Sequence, residues 1–122
     1  MIRKPQDQRQ FTRSPGVDIT VLVEPAEMYD AGRLFAKITI APGASLSYHT
    51  HVGEMESFYV TKGICSVNDN GHTANLTVGD VLITMDNESH SVTNETNEPA
   101  ELIALIISCK QGVPGQGVAA TQ

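Results

Sequence analysis

At 122 residues, with eight Lys and Arg against fourteen Asp and Glu, the chain carries a formal net charge of −6. That length holds one hydrophobic core and buries roughly two thirds of the surface its unfolded form exposes, so it folds without a disulfide framework. An acidic balance with no basic stripe and few aromatics argues against nucleic acid, or an anionic membrane surface, as a partner.

The chain begins Met-Ile-Arg-Lys-Pro-Gln-Asp-Gln, which has no apolar stretch of the secretory kind. Residues 1–15 are polar and mixed and read as an N-terminal arm. A single domain is expected over 16–110, built from short β-type runs. These are Val17–Val23, Leu34–Ile40, Ser57–Val60, Ile64–Asn68, Thr73–Val78, Val81–Thr84, Ser89–Asn94 and Leu102–Ile107. Turn signals punctuate them: Pro42-Gly43, Lys62-Gly63, Asn70-Gly71, Val78-Gly79-Asp80 and Glu98-Pro99. Asn70-Gly71, between Val67 and Leu76, predicts a hairpin with a type I′ turn. Pro25–Gly32 reads as a loop or a short turn of helix. No segment has a 3.6-residue apolar period and none is long enough for a helical crossover, so an all-β sandwich or barrel is expected.

Leu102–Ile107, the longest apolar run, is far too short to cross a bilayer core of about 30 Å. Cys65 and Cys109 sit among apolar residues and read as buried free thiols of a reducing compartment, so a cytoplasmic protein is expected. Asn75-Leu-Thr77, Asn87-Glu-Ser89 and Asn94-Glu-Thr96 match the glycosylation pattern, but such clusters equally mark turns. The tail, residues 111–122, contains glycines and no packable pattern; it is expected to be flexible and is given no function.

The chemistry concentrates on histidine. His49 and His51 are two residues apart, so on a strand both point to one face, about 7 Å apart along the chain. Both reach one ion only if the strand bends. Glu56 follows after a short loop, and His90 opens a later strand. Three imidazoles and a carboxylate suit Mn, Fe, Co, Ni, Cu or Zn far better than Ca or Mg. Taken alone, a His-x-His pair is more often a surface or hydrogen-bonded feature than a ligand pair.

The surrounding frame changes that balance. Gly43 is followed after five residues by His49-Thr-His51, after four more by Glu56, and after six more by Gly63. Gly79 is followed after five residues by Met85-Asp-Asn87, after two more by His90, and after three more by Asn94. This pattern resembles the two conserved motifs of the cupin superfamily. The chain departs from it at Met85, where the family has Pro, and at Asn87, where it has Gly. Fifteen residues between Gly63 and Gly79 match the compact spacing of small single-domain cupins. The resemblance implies a double-stranded β-helix, or jelly-roll, barrel holding one divalent transition metal through His49, His51, Glu56 and His90. It also implies a homodimer, in which the largely apolar Val17–Val23 segment helps to cover exposed strand edges.

Alternation assigns the cavity walls. Leu34, Ala36 and Ile38 are the apolar parity of their strand, Phe58 and Val60 share the parity of Glu56, and Met85 is expected to join them. Arg33, Lys37 and Thr39 then face outward or sit at a rim. A pocket with few fixed charges disfavours a sugar phosphate, which demands a basic clamp. Oxalate chemistry is disfavoured less, because Arg33 is in reach of the rim. Glu54 is the candidate catalytic acid or base, weighed against a solvated loop charge. Tyr48 runs out of phase with His49 and is expected in core or interface packing; His72 lies outside both motifs and reads as a solvated turn residue. Cupins with this donor set include dioxygenases, decarboxylases, isomerases and non-catalytic binders. The sequence therefore predicts a metal-binding protein acting on or binding a small organic molecule, with dioxygenase-like chemistry ahead. An isomerase or decarboxylase of a small carbonyl or sugar-like compound follows, and a metal-anchored binding module is the rival from another class.

Overall fold

A computed structural model describes residues 1–109; the tail expected at 111–122 lies outside the described residues. Ten strands run β1 (Gln10–Ser14), β2 (Val17–Val23), β3 (Gly32–Ile40), β4 (Ser45–Thr50), β5 (Glu54–Lys62), β6 (Cys65–Asp69), β7 (His72–Leu76), β8 (Val81–Thr84), β9 (Ser89–Thr93) and β10 (Ala100–Ser108). They form two antiparallel sheets, ordered β1-β2-β3-β10-β5-β8 and β4-β9-β6-β7. The fold is all-β, of the jelly-roll kind. Among the described residues no helix is long and apolar enough to cross a membrane.

Alternating apolar residues on the facing sides of the sheets make the core. Ile38, Ile40, Phe58, Val60, Leu102 and Ala104 come from the larger sheet, and Leu46, Cys65, Val67 and Val92 from the smaller. The buried positions of β10 fall on Ala100, Leu102, Ala104 and Ile106, every second residue, as the pleat requires. Val17–Val23 is buried at Val17, Ile19, Thr20 and Val21, and it pairs with β1 on one side and β3 on the other.

The turn between β6 and β7 is made by Asn70 at φ 53° and Gly71 at φ 95°, the paired positive angles of a type I′ hairpin. Asn87, where the family pattern has Gly, adopts φ 70°, which Asn tolerates better than most residues. Met85, where the pattern has Pro, donates its backbone N–H to Glu88 Oε1 (2.8 Å), a bond that Pro cannot make. Asn94 is fully buried. Its side-chain amide donates to the Ile40 and Glu98 carbonyls and its oxygen accepts from Thr96, tying the β9–β10 connection to β3.

Two elements were not legible as strands. β1 lies inside the segment read as an arm, and β4 carries His49 without a periodic apolar run. The N-terminal segment is tied down as well. Arg3 holds Glu27 through 2.8 and 2.6 Å contacts, Glu27 also accepts the Glu24 backbone N–H (2.8 Å), and Arg9 pairs with Glu24 (2.9 Å).

Candidate metal centre

Four donors converge at one end of the space between the sheets. His49 lies on β4, Glu56 on β5 and His90 on β9, while His51 follows β4 directly. A β-bulge aims β4. Leu46 pairs with Val92 and His49 with His90, so three steps on β4 match two on β9. Leu46 therefore points inward, Ser47 and Tyr48 both point out, and His49 returns to the inside. Tyr48, out of phase with His49, points away from the donors as expected, and at 51% exposure it is not part of the core. His51 is fixed through its backbone: its N–H donates to the Glu88 carbonyl (3.0 Å) and its carbonyl accepts from Asn87 N–H (2.7 Å). The 85–88 turn thus clamps the residue that strand pairing alone would leave free.

The Nε2 atoms of His49, His51 and His90 lie 3.1 Å from one another. Glu56 Oε1 is 2.8 Å from His51 Nε2 and 3.1 Å from His90 Nε2. His49 Nδ1 donates to the Ser47 carbonyl (2.6 Å) and His51 Nδ1 to Glu54 Oε2 (2.5 Å), which leaves their Nε2 atoms bare in the neutral ring; His90 Nδ1 lies 2.7 Å from the Thr84 hydroxyl, which accepts its proton when Nε2 ligates. Three bare lone pairs and a carboxylate, the whole set within 4.8 Å, repel one another unless a cation sits among them. Spacings near 3 Å suit neighbouring ligands of an ion with bonds of about 2.0–2.2 Å, so the donor set fits a divalent transition metal. Phe58 stacks on the His90 ring at 4.9 Å and 14°, which further fixes that ligand. Burial pushes the His49 imidazole below its usual range, which favours the neutral, ligating form.

Glu54 grips His51 on one side and Arg33 on the other, through two 2.7 Å bonds to the guanidinium. Chiefly because of Arg33, its carboxyl falls to about 2. Glu54, the candidate acid or base of the sequence, thus bonds His51 and Arg33 while lining the cavity.

The cavity above the donors has a volume of about 180 Å³. Leu34, Ile38 and Phe58 line it, as do His49, His51, Glu54 and Glu56. Ala36 and Val60 instead lie fully buried in the core, and Met85, half-buried in its turn, is not on the wall either. Sequence reasoning missed Phe11, Arg13, Ile19, Leu46, Thr50 and Ile106, which complete the lining. The parity of Val17–Val23 could have flagged Ile19; nothing local marked Phe11 or Arg13, which depend on β1 joining the sheet. The expectation of few fixed charges is corrected, because Arg13, Arg33 and Glu54 all border the cavity. His72 is exposed at the start of β7, away from the centre.

The family described as "Cupin domain" matches residues 36–106, which include both motifs. An oxalate-binding protein of Thermotoga maritima is 37% identical over 91 residues, covering 75% of this chain and 75% of that protein. The crystal structure of a predicted oxalate decarboxylase from Thermotoga maritima superposes with a TM-score of 0.80 at 32% identity, over 88% of this chain and 99% of that one. An RmlC-like cupin from Shewanella frigidimarina gives a TM-score of 0.73 at 20% identity, over 89% and 90% of the two chains, a likeness of fold. Motifs, sheet order and matched residues agree: this chain belongs to the cupin family.

Proposed function

We propose that this chain binds a small, oxygen-chelating organic acid of the oxalate kind on a divalent transition metal held by His49, His51, Glu56 and His90. The observation that carries the reading is the convergence of three Nε2 lone pairs and Glu56 beneath a small cavity bordered by arginine. When bound, the ion supplies Lewis acidity toward a chelating ligand. The residues around it hold the ligating nitrogens in place, wall the ligand with Leu34, Ile38 and Phe58, and supply positive charge at the rim. The oxalate-binding relative supports this class of ligand. A phosphorylated sugar fits less well, because Arg33 is already neutralised by Glu54, which leaves Arg13 as the lone lining guanidinium to meet a phosphate.

Binding without turnover is favoured over proton-delivering decarboxylation, since Arg33 holds the Glu54 carboxyl at about 2, well below the range of a proton donor. Oxidative, dioxygenase-like turnover is the second reading, supported by a cavity that opens onto His49, His51 and Glu56. Two free thiols, Cys65 and Cys109, support a reducing, cytoplasmic setting.

The test combines elemental analysis of untagged protein with titration of oxalate, enols and sugar phosphates into metal-loaded and metal-free forms. Stoichiometric metal in the parent, lost in His51→Ala and His90→Ala but kept in His72→Ala, is expected. Metal-dependent binding of oxalate, with no heat from sugar phosphates, completes the expected result. Metal retained in both ligand variants overturns the centre; stabilisation by sugar phosphates alone moves an isomerase to first place. Oxygen consumption with the bound acid promotes the second reading.

A further inference from the structure

Arg13 borders the metal-centre cavity, and no carboxylate pairs with it among the described residues. Strand pairing explains how it arrives there. On β1, Phe11 opposes Ile19, and both line the cavity; Thr12 opposes Asp18 on the outer side, where its hydroxyl donates to that carboxylate (2.9 Å). Between Thr12 and Ser14 the register slips, so Arg13 is the extra residue of a β-bulge. Phe11 and Arg13 lie two residues apart and so share a face of β1, which sets an arginine beside Phe11 on the cavity lining.

The charges around the cavity are uneven. Arg33 and Glu54 cancel through their paired 2.7 Å bonds. Glu56 offsets one of the two charges of a divalent ion, and Arg13 adds one back. A net positive charge of two then borders a small cavity.

We infer that Arg13 is a specificity residue that selects doubly charged ligands, short dicarboxylates, over singly charged ones. This rests on the binding reading above. One end of such a dianion meets the donor end of the cavity, and its outward carboxylate oxygens meet the planar fork of the guanidinium, the geometry that arginine matches best. A monoanion leaves the Arg13 charge uncompensated, so the two classes separate at this residue.

Calorimetric titration of oxalate and of glyoxylate, its singly charged analogue, into metal-loaded protein tests the assignment, with metal content and melting temperature measured in parallel. The parent is expected to prefer oxalate. In Arg13→Gln, oxalate affinity falls roughly 10- to 100-fold, as for loss of a charged hydrogen-bonded pair, while glyoxylate affinity changes little. Metal content stays unchanged, and Arg13→Lys restores part of the preference. Lys37→Gln, which removes a charge from β3 away from the cavity, leaves both affinities alone. If the parent binds oxalate and Arg13→Gln binds it equally well, or loses both ligands by the same factor, the assignment of Arg13 falls. If the metal-loaded parent binds neither acid, the binding reading fails and takes this one with it.

Discussion

Thr84 illustrates how much of the metal centre depends on residues that do not touch the ion. It is fully buried on β8, opposite Glu56 on β5, and its hydroxyl receives the Nδ1 proton of His90 (2.7 Å). Glu54 does the same for His51, and the Ser47 carbonyl for His49. Each partner fixes which ring nitrogen is bare and where it points, and loss of such a partner typically weakens metal affinity by about 10- to 100-fold. Thr84→Val, nearly isosteric, removes only the acceptor. It is expected to lower metal affinity within that range in a chelator competition and to leave the strand pairing intact. Unchanged affinity would show that Phe58 stacking alone orients His90.

At the scale of elements, the turns and the N-terminal staple carry the testable weight. Gly63 links β5 to β6 at φ 77°, and a Cβ placed there would come within 2.8 Å of the Pro99 carbonyl oxygen. Both strain and clash act against any side chain, so Gly63→Ala is expected to destabilise the fold by roughly 1–3 kcal/mol in denaturant unfolding. The staple responds to acid. Hydrogen bonds from Arg3, above all, hold the Glu27 carboxyl down at about 2, against a usual value of 4.5. The folded state therefore keeps Glu27 ionised where the unfolded chain would protonate it. Its stabilising effect is complete above about pH 4.5 and is lost as the pH falls toward 2. Protection factors of the amides in residues 1–9, taken relative to the intrinsic rate at each pH, are expected to fall over that window, and in Glu27→Gln not to vary with pH. Protection that stays flat with pH in the parent would remove the ion pair from the account.

At the scale of the whole molecule, and among the described residues, the larger sheet leaves an apolar surface uncovered. On the outer side of the larger sheet, Tyr59, Val81, Ile83 and Ile107 are 47%, 51%, 54% and 39% exposed. Register places them together, since Tyr59 opposes both Val81 and Ile103, and Ser57 opposes Ile83 and Leu105. β8 is also a sheet edge, with the uncharged sequence Val-Leu-Ile-Thr. An edge without charge or Pro pairs readily with another strand, and a second copy offers the same surface about a twofold axis. Light scattering at micromolar concentration is expected to give a homodimer, and Ile83→Lys a monomer with unchanged metal content. A monomeric parent would refute the dimer; a dimeric Ile83→Lys would move the interface to the other edge, β1.

His49, His51, Glu56 and His90 were legible in the sequence because spacing in short motifs is a local property, as were the type I′ hairpin at Asn70-Gly71 and the tolerance of positive φ at Asn87. Strand alternation likewise separated Phe58 from Tyr59, since the pleat repeats every two residues. The bulges in β4 and β1 escaped, because an extra residue is defined only against the partner strand that it fails to match. With the bulge in β4 went Leu46, which shares the inner face with His49 although simple alternation puts the two on opposite faces. Glu54 read as a candidate acid or base, or as a solvated loop charge, and its pairing with Arg33, 21 residues earlier in the chain, appeared only on folding. The donors of the metal centre were thus written locally. The charge facing its cavity was decided by tertiary structure, because guanidinium and carboxylate groups far apart in sequence cancel or persist according to which strands become neighbours.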